Sequence, residues 1–192
     1  MAENPGEVFN PLFIYGESGL GKTHLLHAIA NHIAQYHPDK KVLYTTSENF
    51  LNDLIDCISQ KNNAKFRYHY RNVDVLMIDD IQFLRARERM QEEFFHTFES
   101  LFQANKQIVL TSDRPPKEIA TLSERLQTRF ESGLLADVQS PDLETRMAMV
   151  KSKANNLGID MPQKVVEYIA ENITNNVREL EGAVKKIAAI NG

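Results

Sequence analysis

The chain has 192 residues, enough for one α/β domain with a small appended subdomain and too few for two large domains. Hydrophobic residues make up 42% and charged residues 25%, which excludes wholesale disorder, collagen-like repeats and coiled-coil rods. A net charge of −4 argues against a protein held to nucleic acid by overall electrostatics, and the single cysteine, Cys57, excludes an internal disulfide and a multi-cysteine metal site.

The opening Met1-Ala2-Glu3-Asn4-Pro5-Gly6 is not a basic segment followed by an apolar run, and no apolar stretch is long enough to span a bilayer, so a soluble protein of the reducing cytoplasm is expected. A strand-like run follows almost at once and the last helical pattern closes near Gly192, so both ends read as cut. Short apolar runs alternate with longer helical patterns, the mark of a parallel sheet with crossover helices. Strands are expected at Leu12 to Tyr15, Val42 to Thr46, Val73 to Asp79, Gln107 to Thr111 and Leu134 to Val138. Helices are expected at about Lys22 to Tyr36, Glu48 to Ser59, Ala64 to Tyr70, Glu88 to Ala104 and Leu122 to Phe130. From Pro141 the strands stop. Asp142 to Asn156 reads as a helix closed by Gly158, Pro162 opens a second, and Asn176 caps a third with Glu179 three residues on. The expected organisation is an α/β nucleotide-binding subdomain over 1–140 and an all-helical lid over 141–192.

Gly16-Glu17-Ser18-Gly19-Leu20-Gly21-Lys22-Thr23 fits G-x-x-x-x-G-K-[ST] between a strand and a helix, the context that distinguishes a phosphate-binding loop from a glycine-rich turn with a chance lysine. Small residues let successive N–H groups converge on phosphate oxygens, and the following helix presents its positive end. Lys22 adds a point charge toward the β- and γ-phosphates, and the Thr23 hydroxyl is placed to ligate Mg²⁺. Glu17 and Ser18 occupy variable positions of the motif, where an acidic side chain must point to solvent.

Val75-Leu76-Met77-Ile78 is wholly apolar, as a central strand covered on both faces would be, and it delivers Asp79 and Asp80 to the carboxyl edge of the sheet. Asp79 is expected in the Mg²⁺ shell and Asp80 against the attacking water; as neighbours on a strand they should point to opposite faces. The other reading of the pair is a helix-capping or turn motif. Gln107 to Asp113 is a second buried strand ending in polar groups. Placed beside the first and third strands, it brings Asp113 or Ser112 toward the γ-phosphate or the water, although Ser112-Asp113-Arg114-Pro115-Pro116 also reads as a turn.

Leu122, Leu126 and Phe130 form an apolar stripe, with Arg125 and Arg129 beside it at a seam. From there a guanidinium could reach a neighbouring molecule's nucleotide or form an intramolecular ion pair. Arg178 lies in the first turn after the Asn176 cap, where the helix dipole disfavours a cation; a phosphate or a nearby glutamate would compensate. Val177, Leu180, Val184 and Ile187 would anchor that helix in the lid core. Phe94, Phe95, Phe98, Leu101 and Phe102 read as core. His24, His27, His32 and His37 lack a metal-binding pattern. Arg85, Arg87 and Arg89, with Lys61, Lys65, Arg67 and Arg71, are solvated basic runs unless stacked copies align them along a nucleic-acid backbone.

Together these residues resemble the AAA+ ATPase domain (domain III) of the bacterial chromosomal replication initiators of the DnaA family. The match runs nearly continuously from Asn10 to Ile187. Its telling stretches are Gly19 to Leu26, Ile78 to Phe83, Gln91 to Phe98, Thr111 to Arg114 and Asn176 to Gly182. The resemblance implies a five-stranded parallel P-loop sheet of the ASCE/AAA+ class with flanking helices, followed by the helical lid.

It further implies that ATP or ADP is held by Gly16, Gly19, Leu20, Gly21, Lys22, Thr23 and His24, with Mg²⁺ at Thr23 and Asp79. Lys22, Asp79 and Asp80 would act with Asp113 as sensor I, Arg178 as sensor II and Arg129 as an arginine finger in trans beside Arg125. The implied partners are other copies in a head-to-tail helical oligomer, single-stranded origin DNA at Ile55, Arg87 and Arg89, the replicative helicase and regulatory AAA+ proteins. The loop opens Gly16-Glu17 where the family usually has Gly-Gly, most of the segment before Pro11 is missing, and the C-terminal helix-turn-helix domain that reads double-stranded boxes is absent from the chain. Asp80 stands where many relatives of this ATPase class carry glutamate, so slow hydrolysis is expected. Two other readings remain: a helicase-loader ATPase and a small-molecule P-loop kinase.

Overall fold

The computed structural model describes residues 1–84, 88–174 and 176–191, the last by its backbone. Five strands, β1 (Leu12–Tyr15), β2 (Val42–Thr46), β3 (Val75–Asp79), β4 (Gln107–Ser112) and β5 (Leu134–Asp137), form one parallel sheet in the order β2-β3-β4-β1-β5. The fourth strand therefore lies between the first and third. Every residue of β3 and β4 is buried, which explains their unbroken apolar runs. β5 is an edge strand and leaves Leu134 and Leu135 exposed.

Helices α1 (Lys22–Tyr36), α2 (Ser47–Ser59), α3 (Asn63–Arg71), α4 (Glu88–Gln103) and α5 (Glu124–Glu131) connect the strands. Their starts follow local chemistry: the Thr46 hydroxyl accepts from Asn49 N at 3.1 Å and Asn62 Oδ1 from Lys65 N at 3.2 Å. The core between helices and sheet is aromatic. Phe50 meets Tyr70 at 4.7 Å, Phe66 at 5.1 Å and Phe94 at 5.4 Å between ring centroids, and Phe130 meets Phe13 at 5.5 Å. Phe98 and Leu101 are also buried here, whereas Phe95 and Phe102 are partly buried at its margin.

Two expected starts differ by two residues, for physical reasons. The third strand starts at Val75, not Val73, because the Asp74 carboxylate accepts from Lys41 N (2.9 Å) and Lys106 Nζ (2.7 Å) and turns the chain into the sheet. The fifth helix starts at Glu124, not Leu122, because Leu122 closes a turn onto Ile119 O and the Ser123 N–H donates to the buried Gln91 Oε1 at 2.8 Å.

The chain divides into two compact units, residues 1–16 with 22–137, and residues 17–21 with 138–192. The second contains α6 (Leu143–Asn156), α7 (Gln163–Asn172) and α8 (Val177–Asn191). Its core is Val150, Ala154, Val166, Ile169, Leu180 and Val184, with Ile187 partly buried against it. Asp142 caps α6 by accepting from Thr145 N at 2.8 Å, and Asn176 Oδ1 caps α8 by accepting from Arg178 N at 2.9 Å. Among the described residues no helix is long and apolar enough to cross a membrane.

Candidate functional site

The parallel register aligns the carboxyl ends of the four inner and adjoining strands: Tyr15 faces Ser112 across β1–β4, and Thr46 faces Asp79 across β2–β3. Ligands bind at this edge in open α/β sheets. The chain leaves β1 through Gly16 and enters α1 at Lys22, so the glycine-rich loop spans the turn from strand to helix. Gly19 (φ +88°) and Gly21 (φ +94°) have left-handed backbones, and a Cβ at Gly19 would run into the Asn176 side chain of the same unit. Lys22 is buried, and its ammonium donates to Gly16 O at 2.7 Å. Leu20 is buried, while His24 is exposed on α1.

Asp79 closes β3 and is surrounded by hydroxyls. Thr23 Oγ1 donates to its Oδ2 at 2.7 Å, Tyr44 OH donates to the same oxygen at 3.1 Å, and Thr111 Oγ1 donates to Oδ1. Burial, followed by the Asp79 charge, pushes the Tyr44 phenol up to about 12, so it stays a proton donor at neutral pH. Thr23 and Asp79 bring a hydroxyl and a carboxylate together where the phosphate loop enters its helix, a hard-oxygen pair that fits Mg²⁺. Among the described residues no three His, Cys, Asp or Glu side chains come together as a metal cluster.

Asp80 does not continue the strand. Its φ is +57°, so the strand alternation that predicts opposite faces for Asp79 and Asp80 ends at Asp79. The bend is bonded on both sides: Asp80 N donates to Thr111 Oγ1 at 3.0 Å, and Ser47 Oγ donates to Asp80 O at 2.6 Å. Gln82 Nε2 reaches the Asp80 carboxylate at 3.1 Å.

Of the two candidates at the end of β4, Ser112 is buried and its hydroxyl accepts from Arg114 N at 3.3 Å, a turn role. Asp113 pairs with Arg114 through two bonds of 2.9 and 2.8 Å, and that guanidinium holds its carboxyl below the usual carboxylate range. Arg129 forms the intramolecular pair, with Nε 2.5 Å from Glu99 Oε1, and lies 6.0 Å from the Phe102 ring centroid; Arg125 is exposed on the same helix. Arg178 is exposed in the second unit. Ile55 is 44% exposed on α2, and Arg89 on α4 lines a shallow cleft with Leu54, Ile58, Asn63, Phe66 and Glu93. Arg87 lies outside the described residues.

Sequence reasoning missed Tyr44, Ser47 and Thr111. The available signal was polar: Thr45-Thr46-Ser47 and Thr111-Ser112 end strands that are otherwise apolar.

The model of the bacterial DnaA ATPase domain matches residues 1–137. The chain belongs to this family. Across 189 residues it is 57% identical to the chromosomal replication initiator protein DnaA of Caldanaerobacter subterraneus subsp. tengcongensis, covering 98% of this chain and 43% of that protein. The chain thus spans less than half the length of this DnaA relative. Among solved structures, domain III of Thermotoga maritima DnaA superposes with a TM-score of 0.95 at 45% identity, covering 98% of this chain and 79% of that one. A DnaA replication initiator bound to AMPPCP and single-stranded DNA gives 0.89 at 40% identity, covering 97% and 57%.

Proposed function

We propose that the chain is the nucleotide switch of a replication initiator: it binds Mg·ATP at the loop after Tyr15, hydrolyses it slowly, and in the ATP state assembles head to tail and engages single-stranded origin DNA. The observation that carries this reading is the Thr23 hydroxyl 2.7 Å from the Asp79 carboxylate at the mouth of a strand–loop–helix phosphate motif. The family membership supports it, as does the DnaA relative bound to AMPPCP and single-stranded DNA.

In this reading Lys22 gives up the Gly16 carbonyl for a phosphate oxygen, and the N–H groups of the glycine loop take the others. Thr23 and Asp79 hold Mg²⁺, which neutralises charge on the β- and γ-phosphates. Asp80 accepts a proton from the attacking water as its oxygen bonds to the γ-phosphorus; the bond from that phosphorus to the bridging oxygen breaks, and ADP leaves with the oxygen. Turnover is slow because the Asp80 side chain is short and its carboxylate is shared with the Gln82 amide. Asp113 and Arg178 sense the γ-phosphate, and Arg129, beside Arg125 at the interface, reads the nucleotide of the next copy. Ile55, Arg87 and Arg89 contact the single strand, and the helicase and regulatory AAA+ proteins are further partners in the cytoplasm. Residues 1–140 form the nucleotide-binding subdomain and 141–192 the lid.

Titration calorimetry with Mg·ATP and Mg·ADP, run alongside sedimentation velocity, tests the site and the switch together. We expect both nucleotides to bind, assembly only with ATP, and Lys22→Ala to weaken ATP binding by about tenfold or more, on the order of 1.4 kcal/mol. Absence of any purine-nucleotide binding would overturn the reading.

A further inference from the structure

The step from Asp79 to Asp80 is held by hydroxyls from both neighbouring strands. β3 lies between β2 and β4; Ser47 immediately follows β2, and Thr111 lies near the end of β4. The β3–β4 pairing runs through Ile78 and Leu110, and the β2–β3 pairing through Thr46 and Asp79, so Asp80 lies beyond both registers. In place of a ladder, its N–H donates to Thr111 Oγ1 at 3.0 Å and its C=O accepts from Ser47 Oγ at 2.6 Å. Both side chains are fully buried, at 0% exposure, so no solvent competes for these bonds.

Thr111 has one hydroxyl proton and gives it to Asp79 Oδ1 while accepting the Asp80 N–H. A single oxygen thereby ties the carboxylate proposed to hold Mg²⁺ to the backbone that aims the proposed base. A left-handed backbone at a non-glycine residue persists only where its surroundings hold it. Asp80, at φ +57°, is held at both its peptide groups.

We propose that Thr111 and Ser47 are positioning residues for hydrolysis: together they fix the left-handed bend at Asp80 and so set where its carboxylate stands relative to that of Asp79. The inference rests on the hydrolytic reading above. Neither residue contacts nucleotide in that reading, so their loss affects turnover far more than binding. Displacing a reacting group by about 1 Å costs on the order of a hundredfold in rate, and loss of one of two clamping bonds is a smaller disturbance.

The test uses the parent chain with Thr111→Val, Thr111→Ser, Ser47→Ala and Asp80→Asn, measuring single-turnover ATP hydrolysis and the dissociation constants of ATP and ADP. Valine keeps the branched shape and removes both bonds; serine restores them. We expect Thr111→Val to slow hydrolysis by about tenfold to a hundredfold, with nucleotide binding changed less than about threefold. Thr111→Ser should recover to within about threefold of the parent, because the hydroxyl and not the methyl group carries the effect. If Thr111→Val does not fold, Ser47→Ala carries the test with the same split between turnover and binding.

Hydrolysis in a folded Thr111→Val or Ser47→Ala equal to that of the parent, while Asp80→Asn is inactive, overturns the inference and leaves the hydrolytic reading standing. Failure of Thr111→Ser to rescue overturns it as well. A parent that binds ATP and never hydrolyses it overturns both.

Discussion

Tyr44 shows what a single hydroxyl does at the sheet edge. Its ring packs on His27 at 4.7 Å between centroids, and its OH donates to Asp79. A phenol whose folded value, about 12, lies above its unfolded value of about 10 binds its proton more tightly in the folded state. Its contribution is therefore complete below about pH 10 and lost as the pH rises toward 12. Tyr70, raised by burial and its bond to Asp53, acts in the same direction. Urea midpoints measured from pH 8 to 12 should fall steeply above pH 10 in the parent and less steeply in Tyr44→Phe, which keeps the ring and costs about 1–3 kcal/mol at neutral pH. The glycine-rich turn from β1 into α1 and the end of β3 at Asp79 could be located in the sequence, because a local motif marks the first and an apolar run the second. Tyr44, Ser47 and Thr111 could not, because their roles arise when β2, β3 and β4 lie side by side, and a local pattern does not encode which strands become neighbours. The bend at Asp80 escaped for a related reason, since an aspartate after an apolar run reads equally well as the strand's next residue.

At the level of the elements, pattern reading served the helices well where their ends are set locally. Thr46, Asn62, Asp142 and Asn176 are each within a few residues of the amide they cap. It failed where an end is set from a distance, as when Gln91 on α4 takes the N–H of Ser123 and Lys106 draws in Asp74. The pairing of α4 with α5 through Glu99 and Arg129 belongs to this second kind. The ion pair is partly exposed and worth less than about 1 kcal/mol. Glu99→Gln should therefore barely move the urea midpoint, yet by releasing Arg129 it should shift ATP-dependent assembly to lower protein concentration. Arg129→Ala should bind ATP and fail to assemble. Sedimentation velocity at several concentrations reads both; assembly unchanged in Arg129→Ala would leave the residue with its structural role alone.

Two of the hydrophobic cores among the described residues differ in character, one rich in aromatic rings against the sheet, the other aliphatic among three helices. A substitution should report on the unit that contains it. Phe94, 1% exposed, packs against both Phe50 and Phe130, so Phe94→Ala opens a cavity among rings that cannot collapse freely. It should cost about 3–5 kcal/mol, read as a lowered calorimetric transition for the sheet unit. In the sequence the strands cease after Pro141, whereas the grouping of residues 17–21 with the helical unit depends on contacts that no linear pattern reveals.

The left-handed bend at Asp80 gives one position two separable duties, to fit an unusual backbone and to present an acid. Asparagine and glycine satisfy the first and fail the second, whereas glutamate supplies the acid on a chain less at ease in that conformation. Aspartate combines the two, a short acid that tolerates the left-handed region.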